Sequence, residues 1–122
     1  MTEGYFSKFY GIDINKKSGN LINLSNYDFA QIYNEDTIDF LLKFQNNIDF
    51  YFSDGSRSSS YEELEFSVLS NLIHEKSLIV SNKGSFSIEL SKFALKLNRN
   101  FITFQENVLN HWYQGSVFCF LY

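Results

Sequence analysis

The side chains best suited to chemistry in this 122-residue chain are two histidines, one cysteine and several closely spaced carboxylates. His111 and Cys119 would make a nucleophile–base pair if the thiol sat in an exposed, electropositive setting that depressed its pKa. Cys119 instead lies between Phe118 and Phe120 in an apolar run, which predicts an inert packing thiol. His111 adjoins Trp112 near an expected helix end, where its charge would favour the C-terminal dipole. Asp36 and Asp39, like Glu62 and Glu65, are spaced to share a helix face. Paired acids hold Mg²⁺ or do acid–base work only in a cleft that shifts their pKa values. Both pairs fall at or near helix starts, where acids are favoured by the dipole alone, and read as structural.

Other signatures are missing. The six glycines (4, 11, 19, 55, 84, 115) lie too far apart for G-x-G-x-x-G or G-x-x-x-x-G-K-[ST]. There is no H-E-x-x-H, G-x-S-x-G or EF-hand loop. Glu89-Leu90-Ser91-Lys92 lacks the E-x-K spacing of a metal-dependent nuclease core. One cysteine excludes an intrachain disulfide and a cysteine-based zinc site, and no spacing points His74 or His111 at a metal. The sequence therefore nominates no catalytic residue, no metal and no cofactor, and reads as a non-enzyme.

The distribution of charge is more informative than its total of −4. Residues 1–27 carry a net +1, residues 28–75 a net −8 and residues 76–122 a net +3. An acidic block of this kind argues against nucleic acid as a direct ligand, because phosphate binding needs clustered Lys and Arg. It suits a basic protein partner, including one that itself binds nucleic acid. The chain is 44% hydrophobic and 19% aromatic, which excludes intrinsic disorder and supplies a core. No apolar run reaches signal-peptide or membrane-spanning length, so a cytoplasmic chain with no membrane partner is expected. Thirteen Asn and sixteen Ser against two Ala, two Arg and no Pro point to an AT-rich, bacterial or phage, gene.

The elements that would position these groups follow from periodicity. Residues 5–14 read as a strand, 15–20 as a turn and 21–24 as a returning strand. Ser25 and Asp28 look like the start of a short helix carrying Phe29, Ile32 and Tyr33, with a second helix after Asn34-Glu35-Asp36. Residues 48–53 alternate strictly, which predicts a strand burying Ile48, Phe50 and Phe52. Ser60 and Glu63 form a capping box for a helix to residue 76 whose stripe is Tyr61, Leu64, Val68, Leu69, Leu72 and Ile73. Asn82-Lys83-Gly84 reads as a hairpin between 78–81 and 85–91; residues 92–99 fit either strand or helix. Asn100 would cap a helix through Trp112, stopped by Gly115, and 116–122 is a strand apolar on both faces. These elements predict one α+β domain over 1–122, a mainly antiparallel sheet with three to four helices packed on it.

The acidic segments YDFAQIYNEDTIDF and YEELEFSV, the small size and the absent catalytic motifs resemble the immunity proteins of bacterial toxin systems such as contact-dependent growth inhibition. They are also similar to phage-borne inhibitors of host defence. The resemblance implies a cognate toxin, often a nuclease, neutralised by direct contact in the cytosol. The partner-binding face would comprise Asp28, Tyr33, Glu35, Asp36, Asp39, Tyr51, Asp54, Tyr61, Glu62 and Glu65. The alternative is a structural or assembly subunit, with strand 116–122 pairing with its copy in a homo-oligomer.

Overall fold

A computed structural model of the chain describes residues 7–20, 23–84, 86–110 and 117–122, with 117–120 by backbone only. It divides into two compact units, Met1–Lys43 and Phe44–Tyr122.

In the first unit, strand β1 (Phe9–Ile12) pairs in parallel with β2 (Ala30–Tyr33), from Phe9 opposite Ala30 to Ile12 opposite Tyr33. A single 3-10 turn, Leu24–Asn26, lies between them and is capped by the Asn23 side chain, not by Ser25. The helix expected over Phe29, Ile32 and Tyr33 gives way to strand Ala30–Tyr33, because so short an apolar segment does not distinguish helix from strand. Helix α1 (Thr37–Lys43) follows as expected, with Asp36 Oδ1 accepting from the backbone N–H of Ile38 at 2.8 Å. Tyr10, Tyr33 and Phe40 form an aromatic cluster with centroids 5.0–6.4 Å apart, and Leu41 is buried.

The second unit is a four-stranded sheet in the order β3-β4-β6-β5. Its members are β3 (Ile48–Ser53), β4 (Ile73–Ser81), β5 (Phe101–Gln105) and β6 (Val117–Leu121), with helices α2 (Ser59–Leu69) and α3 (Glu89–Leu97). Strands β3 and β4 are parallel and joined through α2, whereas β6 is antiparallel to both β4 and β5. Parallel pairs in both units make the arrangement Rossmann-like α/β, which corrects the expected mainly antiparallel α+β sheet. The physical reason is that strand direction is set by the crossover helix that joins β3 to β4, and no local alternation records that path.

Cross-strand register shows which face the helices cover. Tyr51, Ser53, Ile79, Ser81 and Leu121 share one face, against which α2 and α3 pack Phe66, Leu69, Leu90, Phe93 and Ala94. The Phe66 and Phe93 rings stack there at 5.2 Å. Phe50 and Phe52, expected inside, lie on the opposite face at 59% and 48% exposure; Ile102 and Phe104, on the other edge of the sheet, are exposed on that same face. The alternation over 48–53 was sound, but it names two faces without saying which one the helices take.

Three further elements differ from expectation. Helix α2 is capped at Ser58 and stops at Leu69, so His74 is in strand β4. The Asn82-Lys83-Gly84 hairpin does not form: β4 pairs with β3 and β6, and 89–97 is helix α3, closed by Asn98 in the left-handed conformation. Phe101–Gln105 is strand β5, not a helix. Strand β6 has hydrogen-bonded neighbours on both sides, so it offers no open edge for the expected homo-oligomer pairing.

Candidate functional site

Parallel strands bring their carboxyl ends together, and in open α/β sheets ligands bind in the crevice outside those ends. In the second unit the paired ends are Ser53 and Ser81. Just beyond them, Asn82 Nδ2 donates to Asp54 Oδ1 at 3.1 Å, and Arg57 from one loop lies 4.9 Å over the Phe86 ring of the other. Helix α2 returns with Glu62 and Glu65 one turn apart, both aimed at the strand ends.

Glu65 Oε1 accepts from the Tyr51 hydroxyl at 2.5 Å and from Ser53 Oγ at 2.9 Å. Its Oε2 is 3.5 Å from Lys83 Nζ. Glu62 Oε1 accepts from Ser81 Oγ at 2.9 Å and is 3.8 Å from the same ammonium. Ser81 Oγ also accepts from the backbone N–H of Lys83 at 3.2 Å. Glu62, Glu65, Lys83, Ser53 and Ser81 are all buried. Burial, reinforced by the adjacent Glu65 carboxylate, pushes the Tyr51 phenol far above the ordinary tyrosine range, which fixes it as a donor. Two carboxylates face one ammonium, and Glu62 Oε2 is buried with no hydrogen-bond partner. Buried charge is expensive unless paired, so this arrangement costs stability for which packing must compensate.

In the first unit the parallel ends are Ile12 and Tyr33, followed by Asp13 and Asn34. Asp13 Oδ1 accepts from the backbone N–H of Asn15 at 2.8 Å, and Oδ2 accepts from Ser18 Oγ at 2.5 Å. The Ser18 hydroxyl first, and the Asn15 amide second, hold the Asp13 carboxyl below its usual range. Asn34 Nδ2 donates to Asn15 O at 3.0 Å, tying the loop to the end of β2. Gly19 closes that loop at φ 80°, where a Cβ would come within 2.3 Å of Ile32 Cδ1. Asp13 is thus an exposed, oriented anion at a strand end.

The ten residues expected to form one acidic face are divided between the two units, and within each they take different places. In the first unit Asp28 and Asp39 are exposed, and Glu35 pairs with Lys43 at 2.5 Å. Asp36 caps α1, while Tyr33 donates to Gln31 at 2.7 Å. In the second unit Asp54 sits at the mouth of the β3 loop and Tyr61 is half-buried. Tyr51, Glu62 and Glu65 are drawn together in the interior. Glu62 and Glu65 therefore present no charge to a partner's surface. Sequence reasoning missed Asp13, Ser53, Ser81 and Lys83. The available signal was position: each stands at, or one or two residues beyond, the end of an apolar strand run. His74 Nε2 meets Asp49 Oδ1 at 2.7 Å at the opposite, amino ends of β3 and β4. His111 and the Cys119 side chain lie outside the described residues. Among the described residues no group of three or more His, Cys, Asp or Glu is placed to hold a metal, and no helix is long and apolar enough to cross a membrane.

No protein-family model and no curated protein sequence matches the chain. Solved structures do resemble it. Precorrin 8w decarboxylase of Methanobacterium thermoautotrophicum superposes with TM-score 0.66 at 16% identity, over 93% of this chain and 68% of that one. An rRNA methylase from Streptococcus thermophilus gives 0.64 at 9% identity, over 93% and 72%. A candidate methyltransferase from Streptococcus mutans in complex with SAH gives 0.64 at 9%, over 93% and 74%. At these identities the likeness is one of fold. That fold is shared with enzymes, which overturns the expectation of a non-catalytic immunity protein or phage-borne inhibitor and the non-enzyme reading. It equally replaces the expected basic protein partner, since the neighbour solved with a ligand holds a small molecule.

Proposed function

We propose that this chain is an α/β enzyme domain that binds an S-adenosyl ligand at the carboxyl end of β1 and serves methyl transfer. The observation that carries the reading is Asp13, an exposed carboxylate held in orientation by Ser18 and Asn15 just past a parallel strand. A carboxylate in that position is the natural acceptor for a ribose diol. The donor set fits: a carboxylate offers about four lone-pair directions, and two of those on Asp13 are engaged. The fit is to a nucleoside without phosphates, because the chain has no glycine-rich turn to cradle a pyrophosphate. When bound, the S-adenosyl group supplies a methyl on a sulfonium. The chain's own residues orient it: Ser18 and Asn15 keep Asp13 ionised, and Asn34 fixes the loop that carries it. Likeness to a fold found with SAH supports the same reading, as does the single cysteine for a cytoplasmic location.

Calorimetric titration of the full chain with SAH tests it. Saturable binding that weakens at least tenfold in Asp13→Ala is the expected result. No heat, and no rise in melting temperature at millimolar SAH, would overturn the proposal.

A further inference from the structure

Of every Asp and Asn in the chain, only Asp54 is followed by glycine. All the others precede residues whose side chains crowd the next backbone nitrogen. Gly55 lies in the loop that leads from β3 to α2. A Cβ built on it would meet nothing within 4 Å, and its φ is outside the left-handed region. Neither space nor backbone conformation therefore demands glycine at this position. Its N–H has no hydrogen-bond partner among the described residues. By contrast, the amide that follows Asp39, that of Phe40, is held by Asp36 O at 3.0 Å, and the one that follows Asp49 lies within β3. Asp54 itself is exposed, and its Oδ1 accepts from Asn82 Nδ2 at 3.1 Å. A carboxyl carbon polarised on one oxygen thus adjoins an uncommitted, unhindered nitrogen.

We propose that Asp54–Gly55 is a self-modification site, where the Gly55 nitrogen attacks the Asp54 carboxyl carbon and the aspartate becomes isoaspartate. The bond that forms joins Gly55 N to Asp54 Cγ, and the bond that breaks is Cγ–Oδ2 of the protonated carboxyl. That hydroxyl leaves with the Gly55 amide proton as one water. Oδ1 remains as an imide carbonyl on which Asn82 can still donate. Water then reopens the five-membered ring. Breaking the new N–Cγ bond restores aspartate. Breaking the original bond from the Asp54 carbonyl carbon to Gly55 N leaves the main chain running through Cβ and Cγ, with a free carboxylate on Cα. Composition and charge are unchanged and no oxidant takes part. The β3–α2 connection gains one methylene, and the oxygen held by Asn82 changes from carboxylate to amide carbonyl. The link between the loops beyond β3 and β4 is thereby weakened, because a neutral acceptor replaces a charged one.

Peptide mapping of the full, folded chain after prolonged incubation at neutral pH tests this, with electron-transfer fragmentation to tell isoaspartate from aspartate. The expected result is a second form of the peptide that spans residue 54, of unchanged mass and shifted retention, with a minor form lighter by one water. Gly55→Ala should slow its accumulation roughly tenfold, because the added methyl hinders approach to Cγ while the open surroundings let the variant fold. The chain incubated in urea supplies the rate of the unrestrained dipeptide. Isoaspartate in the folded chain at a comparable rate supports the proposal. Its absence from the folded chain while the urea-treated chain forms it would overturn the proposal, since the fold would then hold the Gly55 nitrogen away from Cγ. Absence from both, or undiminished accumulation in Gly55→Ala, would overturn it equally.

Discussion

The Glu62 carboxylate and the Lys83 ammonium lie 3.8 Å apart with side chains 1% and 3% exposed, 21 positions apart in sequence on either side of strand β4. Lys83 reaches Glu65 as well, so one ammonium ties helix α2 to the loop that leaves β4. Lys83→Met should destabilise the chain by about 3–5 kcal/mol, because breaking a buried ion pair from one side strands the remaining charges. Urea denaturation reads this directly. A loss below about 1 kcal/mol would mean that the acids are compensated by other groups.

Tyr51 gives a pH signature. Its folded pKa is raised by burial and by Glu65, so above the ordinary phenol value of about 10 the unfolded chain releases this proton while the folded chain keeps it. The contribution is fully present below pH ~10, and stability then falls by about 1.4 kcal/mol per pH unit as pH rises. Tyr51→Phe should cost about 1–3 kcal/mol at neutral pH by depriving Glu65 of a donor. Its alkaline slope should be shallower by that same increment. Chemical denaturation of both proteins between pH 8 and pH 11 measures the difference.

Asp13 acts from the surface and should matter for ligand more than for fold. Asp13→Asn keeps the size of the side chain but removes the charge and half the acceptor capacity. Affinity for SAH should fall by about 1.5–3 kcal/mol, roughly ten- to a hundredfold, with little change in melting temperature. Because its hydrogen bonds hold Asp13 below the usual carboxylate range, binding through it should weaken only at a lower pH than an ordinary aspartate would impose. Titrations at pH 7 and pH 4.5 check this.

At Gly19 backbone geometry dictates the residue. At φ 80° a side chain is strained, and its Cβ would press on Ile32 Cδ1. Gly19→Ala should cost about 1–2 kcal/mol and loosen the loop that orients Asp13. Melting temperature and SAH affinity should fall together; an unchanged melting temperature would show that the loop simply reshapes.

Sequence alone pointed to strands over 5–14, 48–53 and 116–122, to a helix after Asp36 and to one from Ser60 that it carried on to residue 76. The observed elements are Phe9–Ile12, Ile48–Ser53, Val117–Leu121, Thr37–Lys43 and Ser59–Leu69, and they were legible because apolar runs and helix starts are local signals. Sequence also determined the absence of phosphate-binding loops, since those motifs are contiguous. It did not determine which face of β3 is buried, nor that β3 and β4 run parallel. Alternation is symmetric between faces, and strand direction is set by a crossover helix whose path no local pattern records. The same gap hid the candidate site. Glu62 and Glu65 read as solvated helix charges, and their burial depends on Ser81 and Lys83 arriving from a strand that had been expected to turn back as a hairpin. Only tertiary structure could place these carboxylates inside. Desolvating them is tolerable only once the hydroxyls of Tyr51, Ser53 and Ser81 and the ammonium of Lys83 have converged on them.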